Sequence, residues 1–121
     1  MDELKNDLAP AQELIYYPKE RLNLEEDVPG SKMWGVALEK AMLTYFEVDP
    51  HSRFDSHRHE SEQITMVLEG ELFFEAGGKI SKVQSGEVIA VPSFVSHSVY
   101  TMEKAARAVD AWSPVMPQYQ R

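Results

Sequence analysis

The stretch HRHESEQITMVLEG, residues 57–70, decides the reading of the fold. His57 and His59 stand one residue apart, Gln63 follows four positions after His59, and an apolar run from Ile64 to Leu68 ends at Glu69-Gly70. Side chains alternate along a β-strand, so a His-x-His pair in extended chain sends both imidazoles to the same face. Two imidazoles on one face are half of a metal site. The other half must come from elsewhere in the chain.

Working outward, similar runs recur at short intervals. Met42, Thr44, Phe46 and Val48 alternate with Leu43, Tyr45 and Glu47, and Asp49-Pro50 closes that run, which reads as a strand with apolar residues on both faces. Strands are expected over Phe54 to His59, Gln63 to Leu68, Glu71 to Ala76, Lys79 to Val83, Val88 to Val91, His97 to Met102 and Ala105 to Trp112. Glu69-Gly70, Gly77-Gly78, Ser85-Gly86 and Pro92-Ser93 separate them, and the double glycine suits a tight primed hairpin turn. Many short strands at regular spacing predict a sandwich or barrel.

Residues 1–35 read differently. Charges dominate, Pro10, Pro18 and Pro29 interrupt any long element, and Pro29-Gly30 is a turn signal. The reading is an N-terminal arm or lead-in with a short helix around Ala11 to Tyr17. Leu14, Ile15, Tyr16 and Tyr17 would be buried if the arm packed on its own barrel or on a second subunit. The barrel is expected over 36–113. Residues 114–121 form a C-terminal tail, since Pro114 and Pro117 cannot donate to a central ladder.

At 121 residues the chain is long enough for one core and too short for two. Its formal charge of −8 argues against a nucleic-acid or anionic-membrane surface, because phosphate binding needs clustered cations. Cysteine is absent, so any metal must be held by histidine, carboxylate or amide oxygen. The N-terminus has no apolar signal core and no long apolar run occurs, which reads as a cytoplasmic protein.

His57, His59, Gln63 and Gly70, followed by Gly86, Pro92 and His97, match the two motifs of the cupin family. From about Val36 to Trp112 the chain resembles a single-domain cupin. The resemblance implies an all-β, double-stranded β-helix (jelly-roll) barrel with a metal inside. Two departures stand out: Phe94 occupies the place, two residues after Pro92, where the family often has glycine, and Gln63 stands where glutamate is commonest.

A metal needs lone pairs converging from several strands, which the inward positions of a closed barrel supply. His57, His59 and His97 would give three imidazole nitrogens and Gln63 a weaker oxygen ligand. That set suits one divalent transition metal, Fe, Ni, Mn, Zn or Cu, with one or two positions open. Alternation, however, puts Gln63 with Thr65 and Val67, and Glu62 with the more apolar Ile64, Met66 and Leu68. Hydrophobicity alone would turn Glu62 inward, whereas the spacing to Gly70 selects Gln63. An apolar outer face is understandable if a second sheet or subunit covers it, and the chain is expected to be a homodimer.

Asp110 near the end of the last strand is a candidate general acid or base, and Trp112, on the same face, a candidate substrate-binding wall. The alternatives are a solvated or salt-bridged strand-end carboxylate for Asp110 and ordinary core for Trp112. Phe46, Phe73, Tyr100 and Met102 read as packing, and His51 as a turn residue. Arg53, Arg58 and Arg107 are candidates for holding a substrate carboxylate, with Arg58 expected to point outward between the histidines.

Three functions follow. The first is an enzyme, a lyase or isomerase, whose metal acts as a Lewis acid on a small sugar-acid or keto-acid-like substrate. The chain is similar to small cupins with a His, His, Gln, His site that open unsaturated uronate rings; their acidic residue and following aromatic ring match Asp110 and Trp112, while their substrate-binding arginine falls near Met116 here. The second is a metal-dependent dioxygenase, against which the neutral Gln63 weighs. The third is a non-catalytic cupin that binds a metal or small molecule.

Overall fold

The computed structural model describes residues 13–120. Its strands, in chain order, are β1 (Glu25–Glu26), β2 (Ser31–Ala37), β3 (Met42–Val48), β4 (Arg53–His57), β5 (Glu62–Glu69), β6 (Glu71–Ala76), β7 (Lys79–Gln84), β8 (Val88–Val91), β9 (His97–Tyr100) and β10 (Ala106–Ser113). They make two antiparallel sheets, one in the order β1-β2-β3-β10-β5-β8 and one in the order β4-β9-β6-β7. From β3 to β6, and again from β7 to β10, each step along the chain crosses to the other sheet, the winding of a jelly-roll barrel.

The period-two pattern is what folds it. Met42, Thr44, Phe46 and Val48 of β3, Gln63, Thr65 and Val67 of β5, and Ala106, Ala108, Asp110 and Trp112 of β10 are all buried. The core has two halves. Val67, Leu72, Phe74, Val83, Val91 and Val99 fill one, and Met33, Met42, Phe46, Val48 and Trp112 fill the other, with Phe54 packed against both.

Two glycine sites set the corners. Gly77 and Gly78 both have positive φ (58° and 79°) and close the β6–β7 hairpin in two residues, as a primed turn requires. Gly70 (φ 77°) turns the chain from one sheet into the other, and a Cβ there would lie 2.0 Å from the Ala105 carbonyl oxygen. No side chain fits that corner.

Four expectations change. The helix around Ala11 to Tyr17 is not formed over residues 13–17, Ala11 itself lying outside the described residues; a 3-10 turn follows at Lys19–Arg21. So short a helix has few internal hydrogen bonds to offset nucleation. Residues 25–35, read as lead-in, supply β1 and most of β2, because β2 pairs with β3 along its whole length. The run expected from Phe54 to His59 stops at His57, after a register irregularity between Phe54 and His57. Finally, Met116 and Tyr119 of the expected tail are buried in the core, where Tyr119 meets Phe46 edge-on at 5.4 Å between ring centroids. Its prolines keep it out of the sheet but do not keep it off the core.

Candidate metal centre

His57 is the last residue of β4 and His97 the first of β9, and the two are directly paired across the sheet. His59 lies in the loop beyond, so strand alternation does not place it; its ring reaches the others from outside the strand. The ring centroids of His57 and His97 are 4.6 Å apart, and His59 lies 5.4 Å and 5.1 Å from them. One ligand atom from each of the three comes within 4.8 Å of the other two. Gln63 arrives from β5 in the facing sheet, with Oε1 3.2 Å from His59 Nε2. Both sheets therefore contribute to one point.

Backbone carbonyls fix the tautomers. Nδ1 of His57 lies 2.7 Å from the Asp55 oxygen, Nδ1 of His59 2.8 Å from that of Ser61, and Nδ1 of His97 2.8 Å from that of Val95. A carbonyl only accepts, so each Nδ1 carries the proton and each neutral ring keeps its lone pair on Nε2. His97 Nε2 is buried with no hydrogen-bond partner. Burial pushes the His97 pKa below its ordinary value and neighbouring His57 and His59 push it further, against the Val95 hydrogen bond; the neutral, ligating form is favoured.

Gln63 is buried and Glu62 exposed, so the inward residue is Gln63. Its Nε2 donates to Thr65 Oγ1 at 2.9 Å, which aims Oε1 at His59 Nε2. Two acceptors then face each other at 3.2 Å. A cation held between them removes that repulsion. Three Nε2 lone pairs and one amide oxygen thus fit a first-row divalent ion, and the carbonyls on each Nδ1 are the partners that histidine ligands ordinarily have.

Beneath the histidines two relays end on Asp110. Gln63 donates to Thr65 and Thr65 to Asp110 Oδ1; Trp112 Nε1 donates to Thr44 Oγ1 at 2.8 Å and Thr44 to Asp110 Oδ2 at 3.3 Å. Burial raises the Asp110 pKa to about 6, with the Thr65 and Thr44 hydrogen bonds opposing. The expected solvated alternative for Asp110 is excluded. Trp112 stands with its ring edge-on to His59 at 5.3 Å.

Asp110, Gln63, His57, His97, Trp112 and Phe46 line one cavity of about 50 Å³. A shallower depression shares Phe54, His57 and Tyr119 with it and adds Arg53 and Asp55. Of the candidate arginines, Arg53 alone lines this depression; Arg58 is exposed, as expected, and Arg107 lies on the outer face of the larger sheet, paired with Glu69. Phe73 and Tyr100 stack on each other away from the cavity lining, and Met102 is exposed. Met116, near the expected arginine position, is core.

Sequence reading passed over Thr44, Thr65 and Tyr119. The threonines carried a signal, since each falls on an inward face where a hydroxyl needs partners; Tyr119 carried none beyond its aromatic ring.

A family model described as "Cupin domain" matches residues 44–112. Among solved structures, KdgF from Halomonas sp. superposes with a TM-score of 0.78 at 21% identity, covering 86% of this chain and 96% of that one. An RmlC-like cupin from Shewanella frigidimarina gives 0.80 at 22% identity, covering 89% and 97%. The polyketide cyclase RemF from Streptomyces resistomycificus gives 0.73 at 21% identity, covering 88% and 96%. A search of curated proteins finds no match. At these identities the structural likenesses speak for the fold.

Proposed function

Because the chain belongs to the cupin family, we propose that it is a metal-dependent enzyme of lyase or isomerase type acting on a small sugar-acid or keto-acid-like substrate. His57, His59, His97 and Gln63 would hold one divalent transition metal. The observation that carries this reading is the convergence of three unprotonated Nε2 atoms and the Gln63 oxygen beside a buried carboxylate.

Bound there, the metal supplies Lewis-acid polarisation of substrate oxygens. With no carboxylate among its ligands the site keeps the ion's full charge, which favours an anionic oxygen pair. Asp110, with its pKa raised to about 6, is matched to take up and return a proton near neutral pH. Thr44 and Thr65 hold both its oxygens in place. Trp112 and Phe46 form apolar walls of the cavity. A volume of about 50 Å³ takes only the reacting end of a substrate, so the remainder would lie in the adjoining depression near the Arg53 guanidinium.

Similarity to the small cupins that open unsaturated uronate rings supports ring-opening or isomerisation as the reaction type. Met116, in place of their arginine, means that a carboxylate would need another anchor, and Arg53 is the candidate on this chain.

The test is to incubate protein loaded with each of the five metals with a panel of unsaturated uronates, ketoses and keto acids, following substrate absorbance and dissolved oxygen together. Substrate should be converted without oxygen uptake. Asp110→Asn should keep its metal and lose turnover by about 100-fold or more. Oxygen consumed in step with substrate would instead make this a dioxygenase, and no conversion of any substrate would leave a binding protein.

A further inference from the structure

The cavity beneath the histidines and the depression outside it are divided by three side chains. Phe54, His57 and Tyr119 line both spaces, so a ligand that reaches from one into the other passes between them. The inner space is small, about 50 Å³, room for roughly three to five water molecules. The outer one offers about 410 Å³ of open volume, with Asp27, Arg53, Asp55 and Gln118 among its lining.

Two of the three dividing side chains are committed to the barrel. His57 ends β4 and belongs to the histidine group. Phe54, also on β4, stands edge-on to Phe46 at 6.0 Å between centroids and packs against both halves of the core. Tyr119 differs, because it comes from the 3-10 turn Pro117–Tyr119, outside both sheets. Its ring is wedged against Phe46 at 5.4 Å and Trp112 at 5.5 Å and is buried. The depth of the turn is set from behind. Gly35 of β2 has no side chain, and a Cβ there would come within 2.9 Å of the Tyr119 carbonyl oxygen. Met116, buried in the same cluster, anchors the start of the turn, where its carbonyl accepts from the Tyr119 N–H at 3.0 Å.

We propose that Tyr119 determines which substrates reach the metal centre: its ring leaves passage for an open-chain, unbranched end carrying two oxygens on adjacent carbons, and holds any ring or branch out in the depression. The proposal rests on the metal-dependent reading above and narrows its substrate class. Packing makes the ring selective, since it cannot turn aside without losing its contacts with Phe46 and Trp112. A sugar acid then enters in its open-chain form, hydroxycarbonyl end first, with its carboxylate left outside near Arg53. A closed pyranose ring with its hydroxyls exceeds a space of about 50 Å³, so isomerisation fits better than ring opening.

The test uses cobalt-loaded protein and two hydroxamates matched in carbon count: heptanohydroxamate, with a straight chain, and cyclohexanecarbohydroxamate, with a ring directly on the chelating group. Binding is read from the change in the cobalt absorption spectrum, without turnover. Wild type should bind the straight-chain probe about tenfold or more tightly than the cyclic one. Tyr119→Ala should bind the cyclic probe about tenfold or more tightly than wild type does, and the straight-chain probe within about threefold of wild type. Tyr119→Leu, which fills the gap beside Phe46 and Trp112 without a ring, should shift in the same direction and carries the comparison if circular dichroism shows that the alanine variant does not fold. Tyr119→Phe should keep wild-type selectivity.

Equal affinity of the two probes in wild type overturns the proposal, as does selectivity that survives the loss of the ring. Selectivity lost in Tyr119→Phe would assign the role to the hydroxyl and overturn the size argument. A protein that takes up no cobalt, or whose cobalt spectrum neither probe changes, overturns the metal-dependent reading itself. Cobalt that binds both probes without discrimination leaves that reading standing and removes only the role of Tyr119.

Discussion

At the scale of residues, the site depends on which atom of each side chain is committed elsewhere. Three backbone carbonyls take the Nδ1 protons, and Thr65 takes the Gln63 amide hydrogen, so every remaining lone pair points inward. The four donors were legible in the sequence because their spacing is a motif. The threonines were not, because a hydroxyl on an inward face announces a need for partners without saying that both would serve one carboxylate.

Asp110 gives a prediction in pH. Its folded pKa, about 6, lies above the ordinary 3.8, so between those values the unfolded chain ionises while the folded one stays protonated. The folded state then binds more protons, and stability falls as pH rises through the window. Buried neutral His97, lowered in pKa, acts in the opposite sense, losing stability as pH falls. The comparison with Asp110→Asn isolates the carboxylate. In metal-free protein, the stability of wild type relative to this variant should fall by roughly 2–3 kcal/mol between pH 4 and pH 7, measured by urea unfolding. A difference that does not vary with pH would contradict the burial of an ionising Asp110.

At the scale of elements, the strands from β3 to β10 lie close to where alternation and turn residues predict them. The misses have local causes. β2 looked like lead-in because its outward Lys32 and its Gly35 hide a strand, and Gly35 is small because a Cβ would come within 2.9 Å of the Tyr119 carbonyl oxygen. The end of β4 was missed because a register irregularity leaves no mark on composition.

Phe94 shows how a departure from a motif reads out as geometry. It has φ of 64°, a region that suits glycine and strains a bulky residue, and its N–H donates to the His59 carbonyl at 2.8 Å. The turn is made regardless, and it ties the His97 loop to the His59 loop. Since the ring is 59% exposed, Phe94→Gly forfeits little packing. It should stabilise the protein by about 1 kcal/mol, strain relief outweighing glycine's greater entropy loss, as read from the thermal midpoint. A lower midpoint would show that the aromatic ring contributes more than its backbone costs.

At the scale of the whole molecule, a barrel of two sheets brings together a loop histidine, two strand-end histidines and a glutamine from the opposite wall, with a C-terminal segment closing the core behind them. Sequence reading reached a sandwich or barrel because alternation and turn spacing are local properties, and the resemblance to cupins narrowed it to the jelly roll. It did not reach the packing of Met116 and Tyr119, which depends on a gap left by distant strands. Hydrophobicity alone points the wrong way on β5, since Ile64, Met66 and Leu68 are more hydrophobic than the buried Gln63, Thr65 and Val67, and only the motif's spacing to Gly70 selected Gln63. The inward polar groups are satisfied there, Gln63 donating to Thr65 and Thr65 to Asp110. Elemental analysis of the purified, metal-reloaded protein beside His97→Ala tests the central claim most directly. Near one equivalent of a divalent transition metal per chain in wild type, lost from a variant that keeps its β-sheet circular dichroism, is the predicted result. Wild type that holds no metal after exposure to excess Fe, Ni, Mn, Zn and Cu, or a variant that holds as much as wild type, would contradict the account.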